Sequence, residues 1–181
     1  ASNGLALALC PSEPTLLAAG GNGCVLSLWR LGKDAGELLA NSSSDAVAGW
    51  IVSCAFCKGS SNRLVVCRAG RQGCVSLMQW DRASSMIASL AHVLPKTPMS
   101  WCGVVADTGV VVTASATKLI HMWSIQETEE GGGAAAFALM SLFPAKARFG
   151  SPDGIGGAGD LMGDRIAIGD EAGSLYIVEM S

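Results

Sequence analysis

Cys54-Ala55-Phe56-Cys57 sets two thiols at the separation of a metal knuckle, but a zinc site needs four ligands and no second pair follows. On an extended strand residues 54 and 57 point to opposite faces. Both therefore read as buried strand thiols, and no metal is expected. Gly154-Ile155-Gly156-Gly157-Ala158-Gly159 fits the dinucleotide pattern letter by letter. That chemistry requires a strand before the glycines and a helix N-terminus after them. Ser151-Pro152-Asp153 precedes the run and no helical period follows it, so Ser151 to Asp164 reads as a glycine-rich loop and no cofactor is expected. Asp153, Asp160 and Asp164 lack the spacing of a calcium loop. His92 and His121 are the imidazoles available to a serine triad. No nucleophile-elbow sequence accompanies them, so no catalytic residue is assigned.

Composition narrows the class. Half of the 181 residues are hydrophobic and 15% are charged, enough apolar surface for a large core and too little charge for a disordered chain. A net charge of -3, with lysines and arginines scattered singly, gives no footprint for nucleic acid. Seven cysteines sit mostly inside apolar runs rather than in a secreted disulfide framework. No apolar stretch reaches the roughly 20 residues of a membrane span, and the first residues lack the pattern of a secretion signal. An intracellular, cytoplasmic protein is expected, with nuclear or cytoskeletal and ciliary placement as alternatives. The sequon Asn41-Ser42-Ser43 then reads as a polar loop.

The elements that must position any site repeat. Val25 to Trp29, Val75 to Trp80 and Leu119 to Trp123 are short alternating apolar strands ending on tryptophan, 51 and 43 residues apart. Around the first lie strands at Gly4 to Cys10, Leu16 to Ala19 and Glu37 to Ala40, with a tight turn at Gly20-Gly21-Asn22-Gly23. The second unit runs Ile51 to Phe56, Arg63 to Cys67, Cys74 to Trp80 and Met86 to Leu90. The third runs Met99 to Val105, Gly109 to Ser115, Lys118 to Trp123 and Ala135 to Phe143, with Glu127 to Gly133 as a solvated insertion. The fourth begins at Ala145 to Phe149, continues with Arg165 to Ile168 and Ser174 to Glu179, and lacks an outer strand. The units span 4–45, 46–91, 92–143 and 144–181.

A repeat of about 40 to 45 residues carrying four strands is a propeller blade, and the chain resembles the WD40 repeat family. Trp80-Asp81 is the literal signature pair, and Ala91-His92 stands where a Gly-His pair precedes the first strand of the following blade. The resemblance implies an all-β, WD40-like propeller segment of about four blades. It also implies structural roles for Trp29, Trp80, Asp81 and Trp123, and a buried network in which His92 bonds the Ser115 hydroxyl. Thr117 stands where the network's aspartate belongs. With one outer strand missing and the first blade lacking a neighbour, the segment is expected to belong to a larger ring completed by another segment or subunit. A self-closed four-blade ring is the alternative.

Trp50 and Trp101 lie 51 residues apart at corresponding starts of first strands, and Arg71, Lys118 and Glu171 occupy turns on the same rim, so these five are the expected partner-binding residues. The function expected is a noncatalytic platform for proteins or peptides, without direct nucleic-acid or membrane contact. An obligate structural subunit of a large ribonucleoprotein or ciliary, dynein-type complex is second. A hydrolase is third.

Overall fold

The computed structural model describes residues 6–42, 49–105, 109–127, 135–147, 149, 158–162 and 165–179. Among them are strands and turns and no helix, so no helix is long and apolar enough to cross a membrane. The described residues hold fifteen strands, which form four antiparallel meanders. Blade 1 comprises β1 (Ala6–Cys10), β2 (Glu13–Gly20), β3 (Ser27–Leu31) and β4 (Gly36–Ser42). Blade 2 comprises β5 (Ile51–Phe56), β6 (Arg63–Arg68), β7 (Cys74–Asp81) and β8 (Met86–Val93). Blade 3 holds β9 (Met99–Val104), β10 (Val110–Ser115), β11 (Leu119–Glu127) and β12 (Ala135–Pro144). Blade 4 holds β13 (Ala158–Met162), β14 (Arg165–Gly169) and β15 (Leu175–Glu179).

The fold is the expected all-β propeller architecture. The first strands β1, β5, β9 and β13 touch one another in succession along the inner side of the arc. Three apolar cores fill the spaces between successive blades. Leu16, Leu28, Leu64, Met78 and Trp80 lie in the first, Val65, Leu77, Val111 and Trp123 in the second, and Trp101, Met122, Ile166 and Ile168 in the third. Middle blades are covered on both faces, which is why β6, β9 and β10 read as nearly unbroken apolar runs rather than alternating ones. β1 alternates because only one of its faces is covered.

The repeat is registered by a bulge. The ladder between third and fourth strands shifts between Leu28 and Trp29, between Leu77 and Met78, and between Met122 and Trp123. Each shift skips one residue of the outer strand, Leu39, Leu90 or Met140, the extra residue that defines a bulge. By this register Trp29, Met78 and Trp123 are equivalent, and Trp80 lies two residues further along its strand. That offset lengthens the first tryptophan spacing and shortens the second.

Two expectations are corrected. The described residues of the stretch Ala145 to Phe149 are not in a strand; the first strand of blade 4 is β13, inside the stretch expected to be a glycine-rich loop. The rest of that stretch, Gly154 to Gly157 included, lies outside the described residues, as do Asp153, Asp164 and residues 128–134. The first two blades are also not fully separate sheets, because β4 and β8 pair in parallel at Asn41 with Met86 and Ser42 with Ile87. The described residues of blade 4 include no fourth strand.

Candidate protein-interaction rim

The turn between second and third strands of every blade opens onto one rim, and one backbone hydrogen bond recurs there. The amide of Ile51 donates to Gly21 O in the blade 1 turn, Thr97 to Gln72 O in the blade 2 turn, and Phe149 to Ser115 O at the blade 3 turn. Each turn is thus fastened to the chain leading into the next blade. Glycine is required at two of these places. Gly73, at φ +60, would put a Cβ 2.0 Å from Thr97 O, and Gly49, at φ +144, would put one 1.9 Å from Ala69 O.

Arg71, Lys118 and Glu171 are all exposed on these turns. Lys118 adopts φ +66, a left-handed conformation unusual for a lysine. Trp50 is 38% exposed just ahead of β5, and its carbonyl accepts the Ala69 amide at 2.8 Å. Trp101 is corrected. It lies inside β9 at 8% exposure, packs in the core between blades 3 and 4, and folds its ring over Gly103, where a Cβ would approach within 2.5 Å. The ladders equate Cys54 with Cys102, which sets Trp101 beside Ser53 rather than beside Trp50.

His92 is likewise corrected. It is exposed on β8 opposite Ser76, on the blade 2 face turned toward blade 1. The Ser115 hydroxyl instead meets Thr117 at 3.1 Å, the Leu119 amide at 3.2 Å and the Leu119 carbonyl at 3.1 Å, and Thr117 meets Thr97 at 2.6 Å. Two threonines fill the place the resemblance gives to histidine and aspartate. His121 is buried on the blade 3 face turned toward blade 2, stacked on Trp123 at 5.5 Å. Burial holds its imidazole below the ordinary pKa. Blade 2 therefore separates the two imidazoles.

Blade 4 carries an aspartate that the sequence reading passed over. Asp170 accepts the Ala172 and Ser174 amides at 3.0 and 2.8 Å and the Tyr176 hydroxyl at 2.8 Å. The Tyr176 oxygen in turn accepts the Lys146 amide at 2.6 Å. Partial desolvation opposes ionisation of Asp170, but these bonds outweigh it and hold the carboxyl below its usual range. Asp170 occupies the register position of Ser115, and an aspartate before Glu-Ala-Gly is a turn signal that could have found it.

The structural tryptophans differ in environment. Trp123 Nε1 donates to the Thr113 hydroxyl at 3.1 Å. Trp80 Nε1 is buried with no hydrogen-bond partner, while the Arg82 guanidinium covers its ring at 4.7 Å and bonds Glu13 of blade 1 at 2.6 Å. Asp81 accepts the Ala83 amide and the Ser84 hydroxyl at 3.0 and 2.6 Å, which closes the turn to β8. Trp29 is half-buried on the uncovered face of blade 1.

Among the described residues no cluster of three metal-ligating side chains occurs. Cys54 belongs to the first core and Cys57 packs against the second, so the two thiols do lie on opposite faces. Burial pushes the Cys54 and Cys67 thiols well above their ordinary range and lifts Cys57 to about 11. Arg68 is a fully buried guanidinium facing blade 1; Nη1 donates to Ser76 at 3.1 Å and Nη2 has no partner. At the opposite rim, a cleft of about 320 Å³ between blades 2 and 3 is bridged by the Arg63–Glu127 ion pair.

These features define a β-propeller with a rigid, charged rim. No family model matches the chain, and no curated protein matches it in sequence. Among solved structures, it is similar to a WD40-type propeller chain of the mitotic checkpoint complex, with TM-score 0.68 and 16% identity over 97% of this chain and 48% of that one. Sqt1 of Saccharomyces cerevisiae, also of WD40 type, gives TM-score 0.64 and 13% identity over 96% of this chain and 44% of its own. The computationally designed protein Ika4 gives TM-score 0.63 and 12% identity over 100% of this chain and 92% of its own. The chain thus spans about half the length of the checkpoint-complex chain and of Sqt1.

Proposed function

We propose that the chain is a noncatalytic scaffold that holds protein or peptide partners on the rim formed by Trp50, Arg71, Lys118 and Glu171. The observation that carries this reading is the recurring interblade hydrogen bond from Ile51, Thr97 and Phe149. It fixes the turns before any partner arrives, so association need not order a loose surface. A half-exposed tryptophan beside charged turns has the makeup of an interface anchor. The neighbours also support protein partners, since one is a component of a checkpoint complex.

A second reading, an obligate structural subunit of a ribonucleoprotein or ciliary, dynein-type assembly, is favoured by uncovered apolar side chains at both ends of the arc. Leu7 and Leu9 stand 56% and 58% exposed on β1, and Leu175 and Ile177 stand 66% and 64% exposed on β15. In this reading another segment or subunit completes the ring. All seven cysteines are free thiols, which suits the proposed intracellular, cytoplasmic location. The acidic net charge gives nucleic acid no foothold.

The test is affinity capture from cell extract with the native chain and with a Trp50→Ala, Arg71→Glu, Lys118→Glu variant. Loss of the principal captured protein, with the melting temperature unchanged, is the expected result. Retention of that protein by the variant refutes the rim as the binding face.

A further inference from the structure

The outer strand of blade 3 is an open, uncharged edge. β12 runs from Ala135 to Pro144 without a charged residue, whereas native edge strands are commonly guarded by charged side chains. It bonds β11 along one side and, among the described residues, no strand along the other. The outer strands of blades 1 and 2 are already engaged, since β4 and β8 pair at Asn41 with Met86 and at Ser42 with Ile87. A further strand laid on an outer strand is therefore a contact this fold makes. β12 also carries apolar side chains on both faces of its edge. Leu139 and Leu142 lie opposite Trp123 and His121 on the face toward blade 2, and Phe143 lies opposite Ile120 on the other. The three are 53%, 48% and 43% exposed. The ladder shows which backbone groups are open. The Ala145 amide donates to Lys118 O at 2.8 Å, so Leu119 with Pro144 is a non-bonded pair, Ile120 with Phe143 a bonded one, and His121 with Leu142 non-bonded again. The N–H and C=O of Leu142 thus point away from β11. The bulge at Met140 twists the edge without adding a charge.

We propose that the outer edge of β12 is a second interaction site, one that takes an extended, uncharged apolar segment of a partner protein as an added strand of blade 3. Strand addition fits an open edge because main-chain hydrogen bonds supply the affinity and alternate side chains supply the selection. Apolar flanks on both faces select against charge in the incoming strand. A carboxylate or ammonium set beside Leu142 or Phe143 would lose water and gain no partner. A helix satisfies its own backbone groups and offers no row of amides and carbonyls at the spacing of a strand. The site uses none of the rim residues Trp50, Arg71, Lys118 and Glu171, so it stands or falls separately from the rim.

Fluorescence anisotropy of the whole chain with a labelled peptide of valine, isoleucine and tyrosine, carrying lysines beyond its ends for solubility, tests this. Saturable binding below about 1 mM is expected, with hydrogen exchange of the Leu142 amide slowed and no binding of a proline-interrupted control peptide. Leu142→Pro removes an outward amide and no bond to β11, and Leu142→Lys sets a charge on the edge. Each should weaken binding at least about tenfold, with strand content by circular dichroism as in the parent. The Trp50→Ala, Arg71→Glu, Lys118→Glu variant should bind the peptide as the parent does. Absence of binding would overturn the site. Binding that survives both Leu142 variants, or that the proline-interrupted control shares, would overturn strand addition. Loss of binding in the rim variant alone would move the peptide to the rim. A chain that is already a dimer without peptide, and that Leu142→Pro dissociates, would overturn the partner segment in favour of a second copy at this edge.

Discussion

Trp123 and Trp80 look alike in sequence, yet shortening each to phenylalanine should have opposite consequences. Both are buried, at 5% and 4% exposure. Replacing indole by phenyl removes roughly 40 Å² of buried apolar area, about 1 kcal/mol at 25 cal/mol per Å². At Trp123 the change also removes the donor to Thr113, whose hydroxyl sits at 0% exposure and 3.1 Å from Nε1. A buried polar group left alone costs about 1–3 kcal/mol, so Trp123→Phe should destabilise by about 2–4 kcal/mol. At Trp80 the indole N–H is already buried without a partner. Removing it returns about 1–3 kcal/mol, which matches or exceeds the roughly 1 kcal/mol of lost area and leaves Trp80→Phe between about 0 and 2 kcal/mol more stable than the parent. In urea, with a slope of about 2 kcal/mol per M, Trp123→Phe lowers the midpoint by about 1–2 M, whereas Trp80→Phe leaves it unchanged or raises it by up to about 1 M. Equal shifts would refute the assignment of the two nitrogens, and with it the two-residue offset that places them differently.

Further outcomes follow from the rim and the buried thiols. Gly73→Ala forces a Cβ onto Thr97 O at φ +60, whereas Gly59→Ala, at φ +73, meets nothing within 4 Å; thermal melting should separate them by at least about 2 kcal/mol, and equal losses would contradict the tied turn. With the Cys57 pKa near 11, about one thiol in a thousand is ionised at pH 8. Ellman's reagent should therefore find Cys57 slow, with buried Cys54 and Cys67 labelled only on unfolding. The Asp170 pKa is depressed in the folded state, so its stabilisation is present above the unfolded value of 3.8 and is lost as pH falls through the folded one. Acid titration of unfolding should show a shallower loss below about pH 4 for Asp170→Asn than for the parent.

Much of the fold was legible because a strand's period of two and its terminal tryptophan are local signals. The inner strand β13 was not. Its Ala158-Gly159-Asp160 opening, set in a glycine-rich stretch, carries turn composition, and pairing with β14 decides the matter. The equivalence of strands was blurred for a related reason. Turn lengths differ between blades, so tryptophan counting aligns Trp80 with Trp123, while the ladder bulges align Met78 with Trp123. The same drift paired Trp50 with Trp101, one at the surface and the other in a core. Turn residues were found at Arg71, Lys118 and Glu171 because glycine and polar clusters mark turns wherever they lie. The bonding of His92 depends on which group reaches the Ser115 hydroxyl, and no spacing rule encodes that Thr117 reaches it instead, with Thr97 bonded to Thr117 behind it.

The central claim, an open arc of four stacked blades, is tested most directly by an experimental structure of the chain. The account predicts Leu28 and Trp80 in one core, Leu77 and Trp123 in the next, and Trp101 and Ile168 in the third, with β13 and β1 of the same chain not packed together. A ring closed within one chain, with β13 against β1 and Leu9, Leu175 and Ile177 buried between them, would contradict it.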